Sequence, residues 1–307
     1  MTIQAEHGPV GVQLWLTGVR PRTLTIAASP VIAGAGLAYF DTAALDWPVL
    51  AITLLCALAI QAGTNLYNDA ADGGRGHDTP ARLGPARLTA EGWASAARVR
   101  LGAMMCFSAA MLGGLYLIHA GGWPILLIGV LSIASGYAYS AGPAPLSHSP
   151  LGELFVIAFF GVAAVAGTYF LQTGTVTADA VLCGLAVGSF GAAVLMVNNS
   201  RDRSQDRVAG RRTLAILVGP KLSRLTYALL ILAPFALQFI NELGVSGSGN
   251  WLPLLTAPFG LYLAWQFHCA RAGADFNILL VQTAKLQLAF SILYTLGLVA
   301  LRLGSAS

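Results

Sequence analysis

Charge is what this sequence has least of: Asp, Glu, Lys and Arg make up only 10% of its 307 residues, where a soluble domain runs near a quarter. A water-facing globule of this size cannot be covered with so few ionisable groups. The formal net charge is +4, from 17 basic and 13 acidic residues. So modest and scattered an excess excludes a nucleic-acid binder of the usual basic kind. Cysteine is also scarce. Cys56, Cys106, Cys183 and Cys269 are far apart and lie in apolar stretches, which excludes a disulfide framework and the zinc and redox spacings. They read as small apolar residues. The five histidines form no metal-ligand pair at helical spacing. What is abundant is apolar: 56% of the residues are hydrophobic, with 35 Gly among the rest. That excludes a disordered chain and selects an all-α, polytopic membrane protein.

A hydropathy window of about 19 residues finds nine apolar runs, at 23–40, 49–68, 101–118, 123–140, 152–171, 179–198, 222–241, 251–269 and 282–301. Each is long enough, as helix, for a hydrocarbon core of about 30 Å. Helix is required because lipid cannot satisfy open strand edges. The first run is longer than a signal-peptide core and is followed by further spans, so it reads as a retained helix. With nine spans the basic residues segregate. Arg20 and Arg22, Arg75 to Arg100, Arg201 to Arg224, and Arg271 with Lys285 fall on one face, and Arg302 alone on the other. The positive-inside rule then places the N-terminus and two basic loops in the cytoplasm and the C-terminus outside, in the cell's inner (cytoplasmic) membrane.

The polar residues gather at two places. One is Asn65-Leu-Tyr-Asn68-Asp69-Ala-Ala-Asp72, running on to Arg75 and Asp78, at the end of the second span. The other is Asn198-Asn-Ser-Arg-Asp202 to Asp206, at the end of the sixth. On continuous helices Asn65, Asp69 and Asp72 share one face, as do Asn198, Asp202 and Asp206. Carboxylates converging at one membrane boundary repel unless a cation lies between them, and hard oxygen donors select Mg²⁺. The neighbouring cations, Arg75, Arg82, Arg211, Arg212 and Lys221, suit a polyphosphate. One such loop would read as solvated surface; two at equivalent places suggest an internal duplication with one motif per half. The division is a single domain, 1–307, with pseudo-repeats at about 15–140 and 150–301. A secondary transporter is the rival reading, but its ionisable groups tend to lie near the bilayer midplane rather than at one boundary.

At these residues the chain resembles the UbiA superfamily of intramembrane prenyltransferases, which carries two Asp-rich motifs on cytoplasmic loops after its second and sixth helices. The likeness is closer to the 1,4-dihydroxy-2-naphthoate polyprenyltransferase branch. It is carried by Trp15-Leu-Thr-Gly-Val-Arg20-Pro-Arg22-Thr, Gly76-His-Asp78 with Arg82-Leu-Gly-Pro-Ala-Arg87, Tyr139-Ser-Ala-Gly-Pro with Leu151-Gly-Glu153 and Phe159-Phe-Gly, and Asn198 through Gly210-Arg-Arg-Thr-Leu-Ala. It spans roughly residues 15–220. Ala70 departs from the aromatic residue common after Asn-Asp, and Arg75 stands where the branch often has Lys. Other members of the superfamily prenylate 4-hydroxybenzoate or specialised-metabolite phenols and quinolones.

The resemblance implies nine helices around a central apolar chamber. It also implies transfer of a prenyl group from a polyprenyl diphosphate donor to an aromatic acceptor, in menaquinone synthesis for this branch, within the lipid bilayer. Asp69, Asp72, Asp202 and Asp206 are the expected Mg²⁺ ligands, oriented by Asn65 and Asn198, with Asn65, Asn68 and Asn198 also expected at the substrate. Asp78 is expected to bind metal through water or to order its loop. Arg75, Arg82, Arg211 and Lys221 are expected at the diphosphate, and Arg22 at an acceptor carboxylate. Tyr139, Phe159 and Tyr169 are expected to line the chamber and stabilise an allylic cation through their ring faces. Glu153 is expected either to help deprotonate the acceptor or to favour a helix N-terminus.

Overall fold

The computed structural model describes residues 8–74, 84, 86–140, 145–244, 248–271 and 273–305, with the side chains of 72–74, 139–140 and 147 outside the description. Arg75, Asp78 and Arg82 lie outside the described residues. The chain is almost entirely helical, and no strand occurs among the described residues. A short amphipathic helix α1 (Val12–Val19) precedes α2 (Pro21–Thr42), α3 (Trp47–Gly74), α4 (Ala96–Gly121) and α5 (Trp123–Ser140). A sixth helix is continuous but changes pitch: α6 (Gly152–Val156), a π-helical stretch Ile157–Ala163, then α7 (Ala164–Thr173). The remainder comprises α8 (Ala178–Arg201), α9 (Arg203–Val208), α10 (Leu214–Leu243), α11 (Ala257–Cys269) and α12 (Gly273–Gly304).

All nine apolar runs become helix. Seven helices, Pro21–Thr42, Trp47–Ala71, Ala96–Gly121, Gly152–Thr173, Ala178–Arg201, Leu214–Leu243 and Gly273–Gly304, are long and apolar enough to cross a membrane. The fourth run, 123–140, forms the 18-residue α5, and the eighth, 251–269, is broken into a 3₁₀ segment, Leu252–Thr256, and the 13 residues of α11. The break follows from Pro253, whose missing N–H and fixed φ favour the start of a helix over its interior. Large side chains such as Leu55, Met105, Leu112, Leu126 and Leu229 are exposed. In water that much exposed apolar surface marks an aggregating protein; on long apolar helices it is a lipid-facing belt. The protein is an integral membrane protein.

Packing relies on small residues, as expected where lipid removes the usual hydrophobic drive between helices. α8 is buried on most faces, and its Gly184 and Gly188 meet Gly161 of the π-helical stretch. A Cβ on Gly161 would lie 2.4 Å from the Gly184 carbonyl oxygen and 2.6 Å from the Gly188 Cα, so only glycine fits there. α5 lies against α3, with Tyr67 and Tyr137 ring centroids 5.0 Å apart. α10 bends at Gly219 (φ 73°) and Pro220, a proline-type kink. Of the three apolar clusters that result among the described residues, two are large. One joins α1, α3, α4 and the Leu88–Ala94 turn; the larger joins α2, α7, α8 and α10 to α12. Between them is a cavity of about 240 Å³ walled by α2, α3, α5, α6, the π-helical stretch and α8.

Candidate active site

The cavity takes its polar end from the two helices that carry the acidic motifs. α3 remains helical to Gly74, and Gln61, Thr64, Asn65 and Asn68 line the cavity from it. These positions recur at i, i+3, i+4 and i+7, one helical face. Asp72, four residues beyond Asn68, continues that face in backbone register; its side chain lies outside the described residues. From α8, Asn198 reaches the same cavity. The two motifs therefore approach one space through their asparagines.

Asp69 departs from its expected place. It is fully buried and turned away from the cavity. One carboxylate oxygen accepts the Leu88 N–H (2.8 Å), and the other accepts the Thr89 N–H (3.1 Å) and is 2.6 Å from the Thr89 hydroxyl. The carboxylate thus ties down the chain where it returns from the first basic loop. Oδ2 accepts one bond and keeps a lone pair, but a metal ion would have to enter this fully buried turn to reach it.

The second motif also differs from a straight helix. The chain leaves α-helical geometry at Asp202 (φ −90°, ψ 3°) and resumes in α9. The Asp202 N–H still donates to the Asn198 carbonyl (3.1 Å), and the Asp206 N–H to the Asp202 carbonyl (2.8 Å), so the four-residue register survives the bend. Arg201, buried, donates to both Asp202 oxygens (2.7 Å each), to Asn198 Oδ1 (2.7 Å) and to Asn277 Oδ1 (2.8 Å). Asp206 pairs with Arg211 at 3.1 Å. The repulsion expected to demand a cation is thus met within the protein on this side. Lys221 and Arg22 are exposed, and neither lines the cavity.

The cation that does line the cavity is Arg20. It sits between α1 and α2 in a left-handed conformation (φ 57°, ψ 71°), which costs a non-glycine residue about 1–2 kcal/mol. Asn65 holds this junction on both sides, donating to the Val19 carbonyl (2.8 Å) and to Thr23 Oγ1 (3.0 Å). The Thr23 hydroxyl in turn donates to the Arg20 carbonyl (2.9 Å). Gln61 Nε2 donates to Asn65 Oδ1 (3.2 Å) and fixes the amide's orientation. Asn65 is therefore a positioning residue for Arg20.

Phe155 and Phe159 stack with centroids 4.4 Å apart, and both line the cavity. Tyr169 does not; it is buried and donates to Asp41 at the other end of α2. The side chain of Tyr139 lies outside the described residues. Glu153 is buried beneath the cavity wall, with one carboxylate oxygen accepting from Asn199 Nδ2 (3.0 Å) and the other unpaired. Deeper in the cavity, Ser132 and Ser135 of α5 face Gln61 and Thr64 of α3. Many hydroxyls in these helices, including Ser29, Thr53, Thr64, Thr168, Ser189 and Thr283, donate to the carbonyl four residues earlier. Among the described residues Ser132 and Ser135 have no such bond.

Sequence reasoning missed Arg20, Gln61, Ser132 and Ser135. Gln61 was detectable, standing four residues before Asn65 as the one amide in an otherwise apolar run. Arg20 was not distinguishable from Arg22, because a left-handed turn decides which of the two points inward.

An intramembrane cavity with polar amides and an arginine at one end, and stacked aromatics and aliphatics beyond, defines a site for an amphipathic anion with a long apolar part. The sequence comparisons are specific. The chain belongs to the UbiA prenyltransferase family, whose profile matches residues 27–277. It is 30% identical over 296 residues to a 1,4-dihydroxy-2-naphthoate octaprenyltransferase of Haemophilus influenzae, covering 94% of this chain and 96% of that protein. To the Mycobacterium tuberculosis protein of the same description it is 33% identical over 280 residues, covering 91% and 94%. Its fold is similar to that of a UbiA homologue from Archaeoglobus fulgidus bound to DMAPP and Mg²⁺, with a TM-score of 0.68 and 16% identity over 93% of this chain and 99% of that one. An apo UbiA homologue from Aeropyrum pernix gives a TM-score of 0.66 at 18% identity, over 90% and 97% of the two chains. The protein is a prenyltransferase enzyme.

Proposed function

We propose that this prenyltransferase moves a polyprenyl group from a polyprenyl diphosphate to the ring of 1,4-dihydroxy-2-naphthoate. The observation that carries this reading is the meeting of α3 and α8 at one apolar cavity, with Asn65, Asn68 and Asn198 at its mouth and Arg20 beside them. The octaprenyltransferase relatives support the acceptor and the menaquinone pathway.

The diphosphate lies at the polar mouth and the isoprenoid tail along Ile60, Phe155 and Phe159. The allylic C–O bond breaks, and its electron pair leaves with the diphosphate. A ring carbon of the acceptor supplies the pair for the new C–C bond, and for the naphthoate the carboxyl group is lost as CO₂. Arg20 offsets negative charge at the mouth in a low-dielectric setting, where fixed charges act strongly. The stacked Phe155 and Phe159 faces stabilise the allylic cation and exclude water that would quench it. Ser132, Ser135 and Gln61 offer hydrogen bonds that a hydrocarbon tail cannot use and a dihydroxylated ring can.

A divalent ion belongs to this reading. No group of three or more His, Cys, Asp or Glu side chains comes together among the described residues. The donors at the mouth are all oxygens, which fits Mg²⁺ rather than zinc, and the Archaeoglobus fulgidus homologue is bound to Mg²⁺. Asp72 and Asp202 would hold it, Asp202 in exchange for part of its pairing with Arg201, with Asp206, Asn68 and Asp78 supporting. When bound it supplies positive charge to the leaving diphosphate. Arg75, Arg82, Arg211 and Lys221 serve the same anion from the cytoplasmic loops.

The nine-span topology, with N-terminus and both motif loops cytoplasmic, C-terminus outside and the inner membrane as the location, is part of the proposal. The outer ends of α3 and α5 begin at exposed Trp47 and Trp123, and the eighth run opens on Trp251, as in an interfacial aromatic belt. The 3₁₀ turn and α11 together extend about 30 Å at about 2.0 and 1.5 Å per residue. The pseudo-repeat division keeps the single-domain reading, with α2 packed into the second half.

The test is incubation of purified, reconstituted protein with Mg²⁺, a series of prenyl diphosphates and a panel of aromatic acceptors, read by product mass. The expected product is the decarboxylated prenyl-1,4-naphthalenediol, with both ring hydroxyls retained. Transfer to 4-hydroxybenzoate with none to the naphthoate would discard the acceptor assignment.

A further inference from the structure

A second cavity, of about 530 Å³, opens among α8, α9, α10, α11 and the start of α12, and shares no residue with the first. Five arginines line it: Arg201, Arg203, Arg207, Arg224 and Arg271. No Asp or Glu does so among the described residues. Arg201 is neutralised by Asp202. The other four are not. Arg203 donates only to neutral oxygens, the Ala215 carbonyl (3.0 Å) and Ser223 Oγ (2.8 Å), where it braces the Gly219–Pro220 bend of α10 and keeps Nη1 without a partner. The guanidinium groups of Arg207, Arg224 and Arg271 have no hydrogen-bond or ion-pair partner among the described residues. The nearest acid on the last loop, Asp275, accepts the Arg271 backbone N–H (3.0 Å) rather than its side chain. Burial, followed by repulsion from Arg207 and Arg224, pulls the Arg203 guanidinium below its usual range.

Arg207 and Arg271 reach solvent while Arg203 and Arg224 are half-buried, and an anion among the four relieves the mutual repulsion that solvent only partly screens. The cavity is of ligand size. Its remaining wall is apolar, with Phe267, Ala270 and Phe276, and Leu217 and Leu222 stand exposed on the adjoining first turns of α10. Basic pockets between helices at the cytoplasmic boundary suit phosphate-bearing headgroups, and arginine forks match phosphate oxygens two at a time.

We propose that this cavity is a second phosphate-binding site, separate from the prenyl-transfer cavity, which takes a phosphate anion through Arg207, Arg224, Arg271 and the open nitrogen of Arg203. The phosphate has two possible sources at that boundary, an anionic phospholipid headgroup or free diphosphate.

The test uses the full chain and reads binding, not turnover. Wild type, R207Q/R224Q and R207K/R224K are placed in phosphatidylcholine vesicles with and without phosphatidylglycerol, and separately in detergent with added inorganic pyrophosphate. Retained lipid is counted by native mass spectrometry, and affinity is taken from the shift in melting temperature. The glutamine pair weakens binding by about tenfold or more, since a charge-assisted hydrogen bond contributes about that factor. The lysine pair keeps most of it, which separates lost charge from lost fold. Stabilisation by phosphatidylglycerol alone assigns the lipid source, and stabilisation by pyrophosphate alone assigns the free anion. Wild type that gains nothing from either, or a folded glutamine pair that binds as tightly as wild type, overturns the proposal.

Discussion

Asp69→Asn separates two roles that the motif alone cannot. If Asp69 is the clamp described above, the change acts on stability. The Asn carbonyl can take over the Thr89 contacts, but the amide nitrogen then faces the Leu88 N–H, donor against donor, in a fully buried place. An unsatisfied buried donor costs about 1–3 kcal/mol, and the two surviving bonds, now to a neutral acceptor, each lose about 1 kcal/mol. The expected destabilisation is about 3–5 kcal/mol, large for one isosteric change. Activity falls with it, but the Mg²⁺ concentration giving half-maximal rate stays put. Asp72→Asn should do the opposite, with the melting temperature kept and the Mg²⁺ requirement raised. The assay is a melting curve beside a Mg²⁺ titration of prenyl transfer for each variant. A D69N protein that melts like wild type and needs more Mg²⁺ would refute the clamp and restore Asp69 as a ligand.

Further outcomes are as specific. Asn65→Ala removes the bonds to Val19 and Thr23 and frees Arg20 from its strained turn; turnover is expected to drop about tenfold to a hundredfold, following about 1.5–3 kcal/mol of lost positioning, with retained insertion checked by melting. Gly161→Ala forces a methyl into the α8 backbone and should destabilise by about 1–3 kcal/mol, whereas Gly114→Ala, with open space around it, should leave the melting temperature unchanged. Arg201→Gln strands Asp202 and is expected to destabilise by about 3–5 kcal/mol, measured by denaturation in mild detergent. Ser132→Ala with Ser135→Ala should raise KM for the acceptor about tenfold and leave KM for the prenyl diphosphate alone; a rise in the donor KM instead would remove both serines from acceptor recognition.

The architecture was readable because lipid simplifies the rules. Apolar runs must be helices, and all nine runs are helical. The break in the eighth run escaped notice because hydropathy counts apolar residues, not hydrogen bonds. Pro253 turns part of the eighth run into 3₁₀ helix without making it less hydrophobic. The π-helical stretch at Ile157–Ala163 was equally invisible. It depends on the backbone contact of Gly161 with Gly184 and Gly188, which joins segments over twenty residues apart.

The site divides along the same line. Residues whose direction is set by helical period come together: Asn65, Asn68 and Asn198 line one cavity. Asp69 takes another direction although only four residues from Asn65. A 40° step on the helix wheel leaves it near the edge of the face, and there a competitor decides its direction. The backbone amides of Leu88 and Thr89 needed an acceptor in a buried turn, and Asp69 was the one within reach. Arg20 was hidden for a related reason. Its inward direction depends on one left-handed residue between two helices, held by an asparagine 45 positions away. Sequence periodicity therefore predicts function where a side chain inherits its direction from a helix. It fails where an unsatisfied backbone group elsewhere claims the side chain, which is why Asp69 rather than Asp72 is the residue whose role the Mg²⁺ titration must decide.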